Sequence, residues 1–202
     1  MHEPIVARAG SKGSMVLLRA APLLLVTLLS CTRQQARPDE ATVTAKAQAS
    51  LAPYKSALKS ELTAALAQGS EAAIDVCASR APALAAEHST AGVRVGRSAH
   101  KLRSAGNAAP PWLAPVMDDL AKAPGGAAAS RVVALADGQW GYAEAIWVQP
   151  PCLACHGESL APSVDAELRK RYPSDAARGF RVGDFRGVFF AELDPAAFAP
   201  KR

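Results

Sequence analysis

Five residues constrain this chain more than any others: Cys152-Leu153-Ala154-Cys155-His156, two thiols three positions apart with an imidazole directly after the second. That spacing is the C-x-x-C-H attachment sequence of c-type haem. Two thiols so placed reach the two vinyl groups of one porphyrin, and the adjacent imidazole falls beneath the iron. Rival readings need other company. A zinc site asks for further Cys or His ligands grouped nearby, and a redox C-x-x-C belongs in a thioredoxin-like βαβ unit. Neither context is visible along the chain. The expected cofactor is one haem c, held by thioether bonds to Cys152 and Cys155, with His156 as an axial iron ligand.

The four cysteines would allow three pairings in a disulfide framework. Cys152 and Cys155 are taken by the motif, and Cys31 closes an apolar run, which leaves only Cys77 without a motif. From Met15 the chain shows a positive residue, Arg19, then an apolar stretch from Ala20 to Leu29, then Ser30, the layout of a secretory signal. The stretch is shorter than the roughly 20 residues that span a bilayer. Leu28-Leu29-Ser30-Cys31 resembles the lipobox of bacterial lipoproteins, in which the cysteine is acylated and becomes the new N-terminus. The signal is complete from Met15, a second candidate start. The expected organisation is a signal peptide with lipobox over residues 1–31, a polar linker over 32–50, and one folded domain over 51–202. The expected location is the periplasm or cell envelope, with a lipid anchor on Cys31 reaching the membrane. Covalent haem attachment takes place on that same oxidising side.

The formal charge is +5, and setting residues 1–31 aside leaves about +3. Lys101, Arg103, Arg131, Arg169, Lys170, Arg171, Arg178, Arg181 and Arg186 are scattered and are not interleaved with aromatics along one helix, as a nucleic-acid-binding face would show. They read as solvated surface, and no nucleic-acid partner is expected.

Leu51, Tyr54, Leu58, Leu62, Ala65 and Leu66 recur at helical steps, with Gly69 where a C-cap glycine belongs. A second helix begins near Ser70 and carries Ile74, Cys77, Ala81, Leu84 and His88 on one face, so Cys77 points inward with Ile74 and Leu84. Pro82 predicts a kink or break one turn beyond Cys77. Gly92 to Gly96 reads as a short strand, and Pro110-Pro111 introduces a helix over Trp112 to Lys122. Arg131 to Leu135 and Trp140 to Val148 form a hairpin about the Asp137-Gly138 turn. A helix over Ser163 to Tyr172 and a last strand over Val188 to Leu193 complete the chain. The class is α+β, helices first and a small antiparallel sheet after.

Cys77, Met117, His88, His100 and water are the candidates for a sixth iron ligand. Met117 sits in a helix where a core methionine is expected, and His88 and His100 stand beside polar residues.

Several separated motifs resemble, in order, the single-haem c-type domains with a PAS-like fold, long known only as a domain of unknown function and often found in sensor kinases or as secreted proteins. They are Ala73-Ile74-Asp75-Val76-Cys77 with Ala81-Pro82, Gly92-Val93, Arg97-Ser98, Asn107 to Trp112, the haem motif with Gly157, Tyr172-Pro173-Ser174-Asp175, Gly179-Phe180, and Gly183-Asp184-Phe185-Arg186-Gly187. The resemblance implies a PAS-like domain with N-terminal helices packed on the sheet and a haem in its pocket, His156 on one side of the iron and Cys77 on the other. The chain departs from the family after Arg97: an Arg-Asn-Pro element is usual there, but the chain reads His100-Lys101-Leu102-Arg103. A propionate-binding role and a solvated charge therefore both stay open for Lys101 and Arg103.

With both axial positions filled, the expected function is single-electron transfer or redox sensing, since an anionic thiolate favours ferric iron. The alternative is a sensor of nitric oxide or carbon monoxide that exchanges the cysteine ligand. A haem peroxidase ranks behind both. The expected partners are the haem-attachment machinery and a separate redox or signalling protein.

Overall fold

A computed structural model describes residues 37–199 apart from Ala91, so the signal, Cys31 and the first part of the expected linker lie outside the described residues. Helix α1 spans Glu40–Leu66 and opens on Asp39, whose carboxylate accepts from the Thr42 amide at 2.8 Å and satisfies a first-turn donor. The linker expected to residue 50 therefore ends by residue 39. Val43 and Ala47 are wholly buried and extend the stripe of Leu51 and Tyr54 backwards at helical steps. One member of that extension is an alanine, which is why the segment carries so weak a hydrophobic signal.

Helix α2, Ser70–Glu87, packs antiparallel against α1 and runs through Pro82 as one element, so of the kink or break expected there the break does not occur. Proline removes only the bond to the Ala78 carbonyl. Buried Ile74 and Ala81 before it and Leu84 after it anchor the helix on both sides of the proline. Gly69, at φ 120°, makes the turn into α2 and does not cap α1, which ends at Ala67.

Four strands form one antiparallel sheet in the order β1-β4-β3-β2: β1 Val93–Ser98, β2 Ser130–Ala134, β3 Trp140–Trp147 and β4 Phe185–Leu193. The β2–β3 hairpin turns through Asp137 at φ 54° and Gly138 at φ 74°, the left-handed pair that Asp-Gly favours. Helix α3, Leu113–Leu120, falls between β1 and β2; the short α4, Leu153–His156, and α5, Pro162–Arg171, lie between β3 and β4. Helices and strands interleave along the chain, and the α+β class holds. Last in sequence, β4 inserts between β1 and β3.

The sheet is covered on both faces. Val95, Tyr142, Ala191 and Leu193 meet Val43, Leu51 and Tyr54 of α1 on one face. Ala143, Val188 and Phe190 meet Leu113, Met117 and Leu120 of α3 on the other. Among the described residues no helix is long and apolar enough to cross a membrane.

A register shift decides where one charge goes. Ile146 pairs with Gly187 but Trp147 pairs with Phe185, so Arg186 is the extra residue of a bulge in β4. By strict alternation Arg186 would share the α3 face with Val188 and Phe190; the bulge gives that face to Phe185 and turns Arg186 to the other. Gly187 makes the shift, at φ 148° and so close to β1 that a Cβ would overlap the Ser98 carbonyl oxygen. Gly187→Ala is expected to destabilise the fold by roughly 1–3 kcal/mol through strain at that backbone. Urea unfolding reads the loss directly, and an unchanged midpoint would mean that the bulge is dispensable.

Candidate functional site

On the α1–α2 side of the sheet lies a cavity of about 290 Å³, near the lower end of the roughly 300–1,000 Å³ usual for small-molecule sites. Cys77, Cys152, Cys155 and His156 all line it. Its walls are otherwise mostly apolar: Leu62 and Leu66 from α1, Ile74, Ala81 and Pro82 from α2, Ile146 and Phe189 from the sheet.

The motif is presented by a turn at the end of β3. Pro150 and Pro151 open it, the Gln149 amide donates to Cys152 Sγ at 3.4 Å, and α4 closes after one turn with the Gly157 amide on the Leu153 carbonyl at 3.0 Å. Segment 177–180 then runs beside it: the Phe180 amide donates to the His156 carbonyl and the Gly179 amide to that of Gly157, both at 3.0 Å. Phe180 also meets the His156 ring edge-on.

The His156 imidazole has a fixed orientation. Its Nδ1 lies 2.7 Å from the Ala177 carbonyl oxygen. A carbonyl can only accept, so Nδ1 carries the proton and Nε2 keeps its lone pair, the tautomer a metal ligand needs. Burial, then the charges of Arg186 and Arg103, push His156 down to about 3, which keeps the ring neutral.

Ala177 is itself held. Asp175, whose side chain is 1% exposed, accepts from the Ala177 amide at 2.9 Å and pairs with Arg103, 11% exposed, at 3.2 Å. Arg103 also donates through Nη2 to the Cys155 carbonyl at 2.5 Å and to the Ala177 carbonyl at 3.2 Å. One guanidinium thus ties the motif turn to the segment that orients His156. Burial raises the Cys155 thiol, with the Arg103 charge opposing.

Cys77 reaches the cavity from α2. No hydrogen bond meets its sulfur among the described residues, and its neighbours on that wall are Ala73, Ala81 and Pro82. The other candidate ligands lie elsewhere. Met117 is buried under the opposite face of the sheet, His88 lies tilted against Tyr54 with ring centroids 6.2 Å apart, and His100 pairs with Asp118 at 3.0 Å. Among the described residues no three His, Cys, Asp or Glu side chains gather closely enough to hold a bare metal ion.

Two of the arginines expected to be solvated are not. Arg103 is the brace just described, and Arg186 lines the cavity, pushed down to about 10 by burial and by the charges of Arg97 and Arg103. Lys101 stays at the rim, with its ammonium over the Phe180 ring. Arg97 and Asp175 entered the sequence reading only within the motifs that carry the resemblance, with no role given to either, and the Ala177 carbonyl did not enter it. Arg97 did leave a trace: it continues the inward parity of Val93 and Val95 along β1, where a charge needs a reason.

Comparison with known proteins gives two matches. The model of a family described as Tll0287-like (Tll0287) matches residues 28–193. The crystal structure of the cyanobacterial heme-protein Tll0287 is similar to this chain at 30% identity, over 61% of this chain and 70% of that one, with a TM-score of 0.46. No curated protein matches.

Proposed function

This chain belongs to the Tll0287-like family, and from that membership we propose that it is a haem protein: one haem c, fixed by thioether bonds to Cys152 and Cys155, sits in the cavity with His156 and Cys77 as its axial ligands. The observation that carries the reading is the convergence of those four side chains on one cavity. They do not gather as the ligands of a small ion. Thiols and an imidazole spread over the walls of one apolar cavity suit a broad group that brings its own metal.

The bound haem supplies one-electron exchange between ferric and ferrous iron. The chain supplies the rest. The Ala177 carbonyl holds the imidazole with Nε2 free, Arg103 locks the motif turn to that carbonyl, and the apolar walls exclude water. Were His156 and Cys77 both to hold the iron, no position would be open to a substrate, and this reading gives the protein single-electron transfer or redox sensing. An anionic sulfur ligand stabilises the ferric state and sets a low potential. Peroxidase chemistry ranks last, because it needs an open position on the iron, which the ligand pair His156 and Cys77 would fill.

A second reading has its own support. Among the described residues Cys77 has no hydrogen-bond donor to hold its charge once iron is reduced, which favours loss of the sulfur ligand and binding of nitric oxide or carbon monoxide. The same proposal puts the protein in the periplasm or cell envelope, anchored by lipid on Cys31. There the haem-attachment machinery matures it and a separate redox or signalling protein receives its output.

The visible spectrum of the ferric holoprotein tests the ligand set. Thiolate bands are expected in the native protein and are expected to disappear in Cys77→Ser, while haem stays bound. An unchanged ferric spectrum in that variant removes Cys77 from the iron. Carbon monoxide binding to the reduced native protein would decide for the gas sensor.

A further inference from the structure

Three arginines line the cavity, and the described residues give them one buried carboxylate. Arg103 takes it, in the 3.2 Å pair with Asp175, and Asp175 is engaged a second time by Arg178 at 2.9 Å. Arg97 and Arg186 have no carboxylate partner among the described residues. The Arg186 guanidinium finds only the Lys101 carbonyl, at 3.3 Å, and the face of Phe180, at 5.4 Å. The sheet's apolar side chains on that wall are Ile146 and Phe189, which bring no charge.

Both guanidiniums are partly withdrawn from water, and a charge so placed without a counter-ion is costly, so a sequence free to vary would replace it with an apolar side chain. Here the fold works the other way. The bulge in β4 takes Arg186 off the α3 face and turns it inward, and the inward parity of β1 does the same for Arg97. Two guanidinium groups aimed into one apolar cavity suit a ligand that brings two carboxylates, which their planar forks can grip with paired hydrogen bonds.

We propose that Arg97 and Arg186 form an anion subsite of this cavity that binds the propionate carboxylates of its haem. The inference rests on the haem reading given above and assigns these two residues a role that the covalent motif does not require. Arg103 is excluded from the subsite, because its guanidinium is committed to Asp175 and to two carbonyls.

The test uses haem-loaded holoprotein in five forms: native, Arg97→Gln, Arg186→Gln, and the charge-keeping Arg97→Lys and Arg186→Lys. Resonance Raman spectra report hydrogen bonding to the propionates through their bending band. That band is expected to shift in each glutamine variant and to move less in each lysine variant. The midpoint potential is expected to fall in the glutamine variants, since a cation near the iron is lost, and to hold in the lysine variants. A propionate band identical to the native one in both glutamine variants, with haem shown by mass to be attached, overturns the subsite and leaves the haem reading intact. Native protein that carries no haem overturns both. Should Arg186→Gln yield no holoprotein, Arg97→Gln and Arg186→Lys decide, and native bands in both count against the proposal.

Discussion

Asp175→Asn is expected to destabilise the folded protein by about 3–5 kcal/mol, the range for removing one member of a buried ion pair and leaving its partner uncompensated. Burial pushes the Asp175 carboxyl up, but the hydrogen bonds from Arg103 and the Ala177 amide, with the charges behind them, outweigh it and hold the group below its ordinary value. Its folded-state value therefore lies below its unfolded one. The stability it contributes is present in full above the unfolded carboxylate value and is lost as pH falls through the folded one. The asparagine variant should lose that acid-side dependence along with its stability.

Arg178→Gln is the matched control. Arg178 pairs with the same carboxylate but is 27% exposed, so its loss should be the smaller of the two. Urea denaturation of both variants over a series of pH values separates them. Equal losses, or an Asp175→Asn protein as stable as the native one, would show that the Arg103 pair does not hold segment 175–178 against the motif turn. The loss should also reach the iron, because the carbonyl that fixes the His156 tautomer belongs to that segment. A changed ferric spectrum in Asp175→Asn is the accompanying sign.

Local signals along the chain were reliable where one residue type forces one conformation. Asp137-Gly138 marked its hairpin because both positions need positive φ, and Ile74, Cys77 and Ala81 marked the inward face of α2 by spacing alone. The start of α1 was hidden, since Ala47 and its neighbours carry too little apolar contrast to separate a buried helix from a tether. Pro82 left a kink and a break both open because a single residue's preference says nothing of the packing on either side of it.

The arginines were misread for a different reason. Arg186 turns inward only because of a one-residue bulge, and a bulge is a property of two strands in register, one of which lies about forty residues earlier in the chain. Arg103 is a brace only because a segment some seventy residues later comes back to meet it. The covalent motif is contiguous and legible, but the residues that orient it are assembled by topology.

The largest effect of all should fall on the covalent link itself. Protein carrying both Cys152→Ala and Cys155→Ala, made with a working haem-attachment system, is expected to lose all covalently bound haem, while each single variant keeps one thioether. The two single variants should not be equivalent. Cys155 packs with Leu160 and Tyr172 against Ile74, Val164 and Leu168, between α2 and α5, whereas Cys152 packs beside Val148, Ala177 and Phe180. Truncating Cys155 loosens the wall that also carries Cys77, because Ile74 is one helical turn from it. Cys155→Ala should therefore disturb the ferric spectrum more than Cys152→Ala, although both retain haem. Mass analysis of denatured protein shows whether haem is retained: apoprotein plus one haem for the native chain and both single variants, apoprotein alone for the double. A native chain that shows only the apoprotein mass would leave the cavity without its proposed occupant. A double variant that still holds haem after denaturation would place the attachment on some other residue, and Cys77 is the remaining thiol on that cavity.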